Sequence, residues 1–109
     1  DPRGMHAYGM YLYDGVGGPR NRPEALSWLK KAADRGVVDS QYNVAKIYES
    51  GDEGIVANPT EAYKWYLIAA RGGDEEAQGS VDRLTPKLEA SVRRVARTEA
   101  EKFQTQPQG

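Results

Sequence analysis

The chain has 109 residues, no cysteine, and 15 basic against 16 acidic side chains, for a net charge of −1. That length suits one small domain, and the even charge argues against both a nucleic-acid surface and an acidic solvating tail. The lack of cysteine excludes disulfides, cysteine–metal sites and cysteine catalysis.

Taken in chain order, the first predicted helix runs from Arg3 to Asp14, and Gly15, Gly17 and Gly18 stop it. Glycine accepts the left-handed backbone that ends helices. The second helix starts at Asn21, whose side chain suits a cap, with Glu24 three residues on as in a capping box. It ends at Gly36. The third helix spans Asp39 to Ser50 and stops at Gly51 and Gly54. Asn58 and Glu61 repeat the capping pattern, and Pro59 takes the first helical position, where a missing N–H costs nothing. That fourth helix ends at Gly72-Gly73. A fifth runs from Asp74 to Arg83 or Leu84. Thr85-Pro86 then reads as the start of a last helix, with Thr85 as its cap. Leu88, Val92, Val95, Ala96 and Phe103 lie along one side of it; Glu89, Arg93, Arg94, Arg97, Glu99, Glu101 and Lys102 lie along the other. Residues 104–109 read as a disordered tail or linker.

The sequence repeats itself. Glu24-Ala25-Leu26-Ser27-Trp28 through Gly36 matches Glu61-Ala62-Tyr63-Lys64-Trp65 through Gly73 at an offset of 37, and Tyr8 through Gly15 matches Val44 through Gly51 at an offset of 36. The extra residue falls in the loop, where insertions belong. Small residues (Gly9, Ala25, Ala32, Ala33, Ala45, Ala62, Ala69, Ala70) alternate with large ones (Tyr8, Leu12, Trp28, Leu29, Val44, Tyr48, Trp65, Tyr66) at helical spacing. This pattern gives interlocking antiparallel helix pairs. One pair cannot bury its apolar faces alone, so pairs stack. The expected fold is an all-α solenoid: one unit over 1–36, a second over 37–73, a partial third over 74–84, a capping helix over 85–103 and the tail over 104–109.

Motifs that would carry chemistry are weak here. Ser27-Trp28-Leu29-Lys30 has the Ser-x-x-Lys spacing of penicillin-interacting enzymes, but Ser-Asp-Asn and Lys-Thr-Gly companions are missing. His6 is the lone histidine, a poor basis for a metal site. Gly15-Val16-Gly17-Gly18-Pro19 lacks the Gly-Lys-Ser/Thr of a phosphate cradle. The Gly51–Gly54 loop lacks calcium-ligand spacing. Pro59 bars glycosylation at Asn58. Neither a catalytic set nor a cofactor or metal site is read, and the expectation is a non-enzyme. No apolar run approaches the roughly 20 residues that cross a bilayer, and no signal peptide is visible. The first residue, Asp1 rather than Met, reads as a cut from a longer protein.

The second unit, Ser40-Gln41-Tyr42, Val44-Ala45, Tyr48, Gly51, Gly54-Ile55, Ala62, Trp65-Tyr66, Ala69-Ala70 and Gly73, resembles the Sel1-like repeat family, a relative of the tetratricopeptide repeats. The resemblance covers about residues 4 to 84. It departs from the family pattern at Gly4 and Ser40, which stand at an alanine position. In such solenoids the first helix of each pair lines the concave side. That places His6, Met10 and Tyr13, then Tyr42, Lys46 and Glu49, then Arg83 in one inner row. The row reads either as a solvated face or as a partner-binding surface, since Tyr, Met and Arg are favoured at interfaces. Trp28, Trp65, Tyr48 and Tyr66 read as core. Arg93, Arg94 and Arg97 read as a face paired with neighbouring glutamates or as a seat for an anionic partner.

A narrower resemblance rests on Asp39-Ser40-Gln41-Tyr42-Asn43, Glu61-Ala62-Tyr63-Lys64-Trp65-Tyr66 and the Thr85-Pro86 helix. It is to the periplasmic segment of PodJ-type polar organelle development proteins, membrane-anchored polarity scaffolds of alphaproteobacteria. It implies a module that does not itself touch the membrane, carried in the periplasm by an inner-membrane parent at the cell pole. The implied role is protein–protein or protein–peptide interaction, as a monomer, in a scaffold for pilus or holdfast development. The alternative is binding to peptidoglycan or another cell-wall glycan.

Overall fold

A computed structural model of the chain describes residues 1–15 and 20–103. Gly17, Gly18 and the tail expected over 104–109 lie outside the described residues. Within them the helices are α1 (Pro2–Asp14), α2 (Arg22–Asp34), α3 (Val38–Ser50), α4 (Pro59–Arg71), α5 (Glu75–Leu84) and α6 (Ala90–Lys102), with a short 3-10 turn at Thr85–Lys87.

Local chemistry sets the helix starts. The side-chain oxygens of Asn21, Asn58 and Asp74 accept the backbone N–H of Glu24, Glu61 and Ala77, each at 3.1 Å. Each bond satisfies a donor that a first helical turn leaves free. The box differs from the expected one at Asn21, because Glu24 Oε2 accepts from the Asn21 side-chain amide, not from its backbone. At the far end of α1, Gly15 sits at φ 71° and donates its N–H to the Tyr11 carbonyl.

The repeat is visible in the backbone bonds between elements. Asn21 donates to the Leu12 carbonyl and Asn58 to the Tyr48 carbonyl; Val37 donates to Ala32 and Asp74 to Ala69. Each of these pairs links equivalent positions of the two units. Helix α1 packs on α2, α2 on α3, α3 on α4, and α4 on both α5 and α6. The result is a stack measuring 42 × 31 × 20 Å, an all-α solenoid. Leu29, Ala33, Val44, Ala45, Tyr63, Trp65, Tyr66 and Ala69 form its continuous core. Burying a leucine such as Leu29 stabilises the fold by about 1.5–3 kcal/mol.

Three expectations are corrected. Tyr8 and Trp28 do not fill the core as their places in the repeat pattern suggested: Tyr8 is 44% exposed and Trp28 partly so. Its counterpart Trp65 is buried because Phe103 closes edge-on over it, with ring centroids 5.5 Å apart. Second, Thr85-Pro86 does not start the last helix. Thr85 keeps helical angles and donates its hydroxyl to the Val81 carbonyl, so it prolongs α5. The extended Leu88 breaks the path, and α6 begins at Ala90 after Glu89.

Third, α6 lies against α4, with Ala96 and Ala100 buried and Val95 facing out. Arg93 and Arg97 do not pair with glutamates. Arg93 donates to the carbonyls of Thr85 and Leu88, and Arg97 to the Tyr63 hydroxyl. Arg71 in turn caps the Ala100 carbonyl at 3.0 Å. Carbonyls left free at a turn or helix end need such donors.

Two helical glycines predict opposite effects. A Cβ at Gly9 would stand 2.9 Å from Leu29 Cγ and 3.2 Å from the Leu29 backbone nitrogen, whereas at Gly79 it would meet nothing within 4 Å. Ala adds about 0.5–1 kcal/mol of helix stability, but overpacking costs roughly 1–3 kcal/mol. Gly9→Ala should therefore destabilise the fold by about 1 kcal/mol net and lower the urea midpoint, and Gly79→Ala should raise it.

Candidate functional site

The first helices α1, α3 and α5 carry the inner row. Its centre is a cavity of about 210 Å³ between α1 and α3, lined by Met10, Tyr13, Leu29, Asn43, Lys46, Ile47 and Ser50. The floor is apolar, from Met10, Leu29 and Ile47. The rim offers an amide, a hydroxyl and an exposed ammonium. Asn43 donates its amide toward the Met10 sulfur at 3.6 Å. Lys46 stands over the Tyr42 ring at 5.5 Å from its centroid.

Two ionic clamps lie along the row, and one of them holds the cavity-lining Tyr13. In that clamp Arg22 Nη1 donates to both Asp52 oxygens, at 2.8 and 2.7 Å, and Tyr13 donates its hydroxyl to Asp52 Oδ2 at 2.7 Å. The Arg22 guanidinium also covers the Tyr13 ring at 3.8 Å. The hydroxyl of Tyr13, then the backbone N–H of Glu53 and the guanidinium, hold the Asp52 carboxyl below the usual range. Burial, then Asp52 itself, pushes the Tyr13 phenol up. In the other clamp Arg83 grips Glu49 with two nitrogens at 2.7 and 3.0 Å, and Tyr66 donates to Glu49 Oε1 at 2.7 Å. The Arg83 bonds are the main cause of a lowered Glu49 carboxyl. Burial, then the bond to Glu49, drives the Tyr66 phenol upward. Burial likewise raises Tyr42, with Glu76 beside it.

This geometry sorts the inner row. Met10, Tyr13 and Lys46 meet at the cavity, Tyr42 lies under Lys46, and Glu49 meets Arg83. His6 stands apart: its Nδ1 lies 2.6 Å from Ser40 Oγ. Ser40 is fully buried and His6 half-buried, and their contact joins α1 to α3. Sequence reasoning missed Arg22, Asp52, Asn43, Ser50 and Tyr66. Asn43 and Ser50 lie three before and four after Lys46 on one helical face, a spacing that could have found them. Asp52 and Arg22 come from loop and helix start, and nothing in their spacing pairs them. Ser27 is exposed, while Lys30 turns its ammonium over the Tyr48 ring, 5.7 Å from the centroid. Among the described residues no three His, Cys, Asp or Glu side chains converge to hold a metal, and no helix is long and apolar enough to cross a membrane.

Comparison with known proteins fits these repeated helix pairs. The profile of the Sel1 repeat matches residues 2–37 and again 38–74. The chain belongs to the Sel1 repeat family. In this Sel1 chain the two matched repeats adjoin without a spacer. A curated relative, chitin synthase regulatory factor 3 of Schizosaccharomyces pombe, is 42% identical over 60 residues, 55% of this chain and 6% of that protein. Among solved structures, a protective antigen of uropathogenic Escherichia coli displaying an SLR fold superposes with a TM-score of 0.77 at 28% identity. That match covers 91% of this chain and 23% of the antigen. A Sel1 repeat protein from Oxalobacter formigenes gives 0.75 at 33% identity, over 80% of this chain and 35% of the other. The Sel1 chain thus spans a minor part of each of these proteins.

The two clamps differ in shelter. The Arg22 and Asp52 side chains are each 15% exposed, against 45% and 30% for Arg83 and Glu49. Hydrogen bonds to a sheltered charge contribute about 1.5–3 kcal/mol, exposed pairs under about 1 kcal/mol. Asp52→Asn should therefore destabilise the neutral-pH fold by about 2 kcal/mol, and Arg83→Ala by less than about 1 kcal/mol. A depressed carboxyl stabilises the fold above its unfolded pKa of about 3.9. It loses that contribution as pH falls through its lower folded value. Chemical denaturation against pH should show the gap between wild type and Asp52→Asn steady above about pH 5 and closing in more acid solution.

Proposed function

We propose that this Sel1 module is a non-catalytic protein-interaction unit whose inner row grips a segment of a partner polypeptide. The cavity at the α1–α3 seam carries this reading: an apolar floor of Met10, Leu29 and Ile47 beside the Asn43 amide, the Ser50 hydroxyl and the exposed Lys46 ammonium. A mostly apolar recess with a few placed polar groups is what recognition sites use. The matching partner segment inserts one apolar side chain and sets a carboxylate near Lys46. Tyr13, fixed by its clamp to Asp52 and Arg22, gives the recess one rigid wall, which lowers the ordering cost of binding.

The resemblance to PodJ-type polar organelle development proteins extends the proposal. In that reading the module acts in the periplasm, as part of an inner-membrane scaffold at the cell pole, and its partners belong to pilus or holdfast development. A second reading, binding to peptidoglycan or another cell-wall glycan, draws on the exposed rings of Tyr8 and Tyr11, which stand parallel with centroids 6.4 Å apart. Sugar faces stack on such rings.

Selection from a displayed library of random peptides tests the first reading. Enriched sequences should pair an apolar residue with a nearby Asp or Glu, and Lys46→Ala or Met10→Ala should weaken them about tenfold, or 1.4 kcal/mol. Enrichment that survives both substitutions would refute the groove. Co-sedimentation with purified sacculi tests the second: pelleting lost in a Tyr8→Ser/Tyr11→Ser variant would favour the glycan, and none above a control protein would remove that reading.

A further inference from the structure

The floor of the recess between α1 and α3 carries a thioether, that of Met10. A thioether sulfur is soft and polarisable, a weak hydrogen-bond acceptor, and the atom of methionine that takes up oxygen. Met10 is half-buried and lines a cavity of about 210 Å³. A water molecule takes about 30 Å³ in the liquid, so a hydroperoxide as small as two waters has room to enter. The Asn43 side-chain amide donates toward the Met10 sulfur at 3.6 Å, so a donor is already aimed at the atom that gains oxygen. The exposed Lys46 ammonium lines the same cavity. The chain's other methionine, Met5, is also half-buried on α1 but lies outside the recess.

We propose that Met10 is an oxidation site and that its sulfoxide is the closed state of the recess. The oxidant is a hydroperoxide. A sulfur lone pair attacks its outer oxygen, and the O–O bond breaks as the S–O bond forms. The proton on the outer oxygen passes to the leaving oxygen, so the products are the sulfoxide and an alcohol, or water where hydrogen peroxide is the oxidant. Sulfur gives up two electrons and the peroxide takes them. The return step consumes two thiols: the sulfoxide oxygen leaves as water and the thiols join in a disulfide, a reaction that methionine sulfoxide reductases catalyse.

The sulfoxide oxygen is a strong acceptor where the thioether sulfur was a weak one. It takes the Asn43 amide N–H and draws the Lys46 ammonium. These are the groups that the reading of the recess as a peptide seat, on which this proposal rests, gives to the partner. The floor keeps Leu29 and Ile47, which carry no oxidisable atom, but the third of its apolar groups becomes a fixed dipole. A partner's apolar side chain then meets that dipole, and its carboxylate competes with the new oxygen for Lys46. Oxidation therefore releases the partner. Met10 packs against the edge of the buried core, so the oxygen enters the recess and leaves the core intact.

A Met5→Leu chain isolates the site, because the protein has two methionines and no cysteine. Hydrogen peroxide should add one oxygen to this folded chain, read by intact mass, at a rate within about tenfold of that of free methionine. The Asn43 side-chain amide resonances should move in step with the mass. Affinity for peptides selected on the recess should fall about tenfold and return after treatment with a methionine sulfoxide reductase and a thiol. Peptide binding by a Met10→Leu chain, whatever its starting strength, should not respond to peroxide. Oxygen uptake that tracks global unfolding, seen as a steep rise with urea, would overturn the proposal. So would unmoved Asn43 resonances in the oxidised chain, or an affinity that oxidation leaves unchanged. Selected peptides that ignore Lys46→Ala would sink the peptide seat, and with it the release, while oxygen uptake and the Asn43 shift stayed as they were. The two failures are thus read on different signals.

Discussion

An antiparallel helix pair of this composition has apolar surface on more than one side, and its two helices can cover only the side between them. That constraint organises the molecule. Gly9, Ala45 and the alanines of α2 and α4 let the paired helices approach closely, and Leu29 fills the space that a side chain at residue 9 would need. What remains uncovered on α2 is covered by α3, and on α4 by α5 and α6. The core is therefore continuous from unit to unit, as a stacked array requires.

The same constraint explains the unequal ends. At the C-terminal end, α6 abandons the repeat pattern and lies on α4, where its small residues Ala96 and Ala100 are buried and Phe103 seals Trp65. The arginines that would otherwise form a basic face serve this join. Arg93 holds the turn at Thr85 and Leu88, Arg97 meets the Tyr63 hydroxyl, and Arg71 caps α6. At the other end Tyr8, Tyr11 and Trp28 keep ring surface open to solvent.

Between the ends, units are tied by polar contacts that reach from one first helix to the next structural unit. Tyr13 of the first unit meets Asp52 of the second, and Glu49, its counterpart, meets Arg83 of the third. Equivalent positions thus carry opposite hydrogen-bond roles, donor in one unit and acceptor in the next. Both clamps fix a residue of the inner row, and one of those residues, Tyr13, also lines the cavity.

Much of the fold was legible in the sequence because its cause is local. The capping of Asn21 and Asn58, the glycine stops and the offsets of 36 and 37 depend on residues a few positions apart, so the helices and their pairing follow from the chain alone. The inner row was legible as a set of aligned positions on α1, α3 and α5. Its internal partners were not. Arg22 and Asp52 are 30 residues apart, and Glu49 and Arg83 34 apart; no spacing rule joins them until the stack brings the elements together. The end effects escaped for the same reason. Tyr8 fits a core pattern and is exposed, and Thr85-Pro86 fits a helix start and instead prolongs α5, because burial and turn geometry there depend on which neighbour is present. The sequence by itself determined the helices, their caps and the repeat. Only the tertiary structure decided which repeated positions are covered, since coverage belongs to the neighbouring helix and not to the residue.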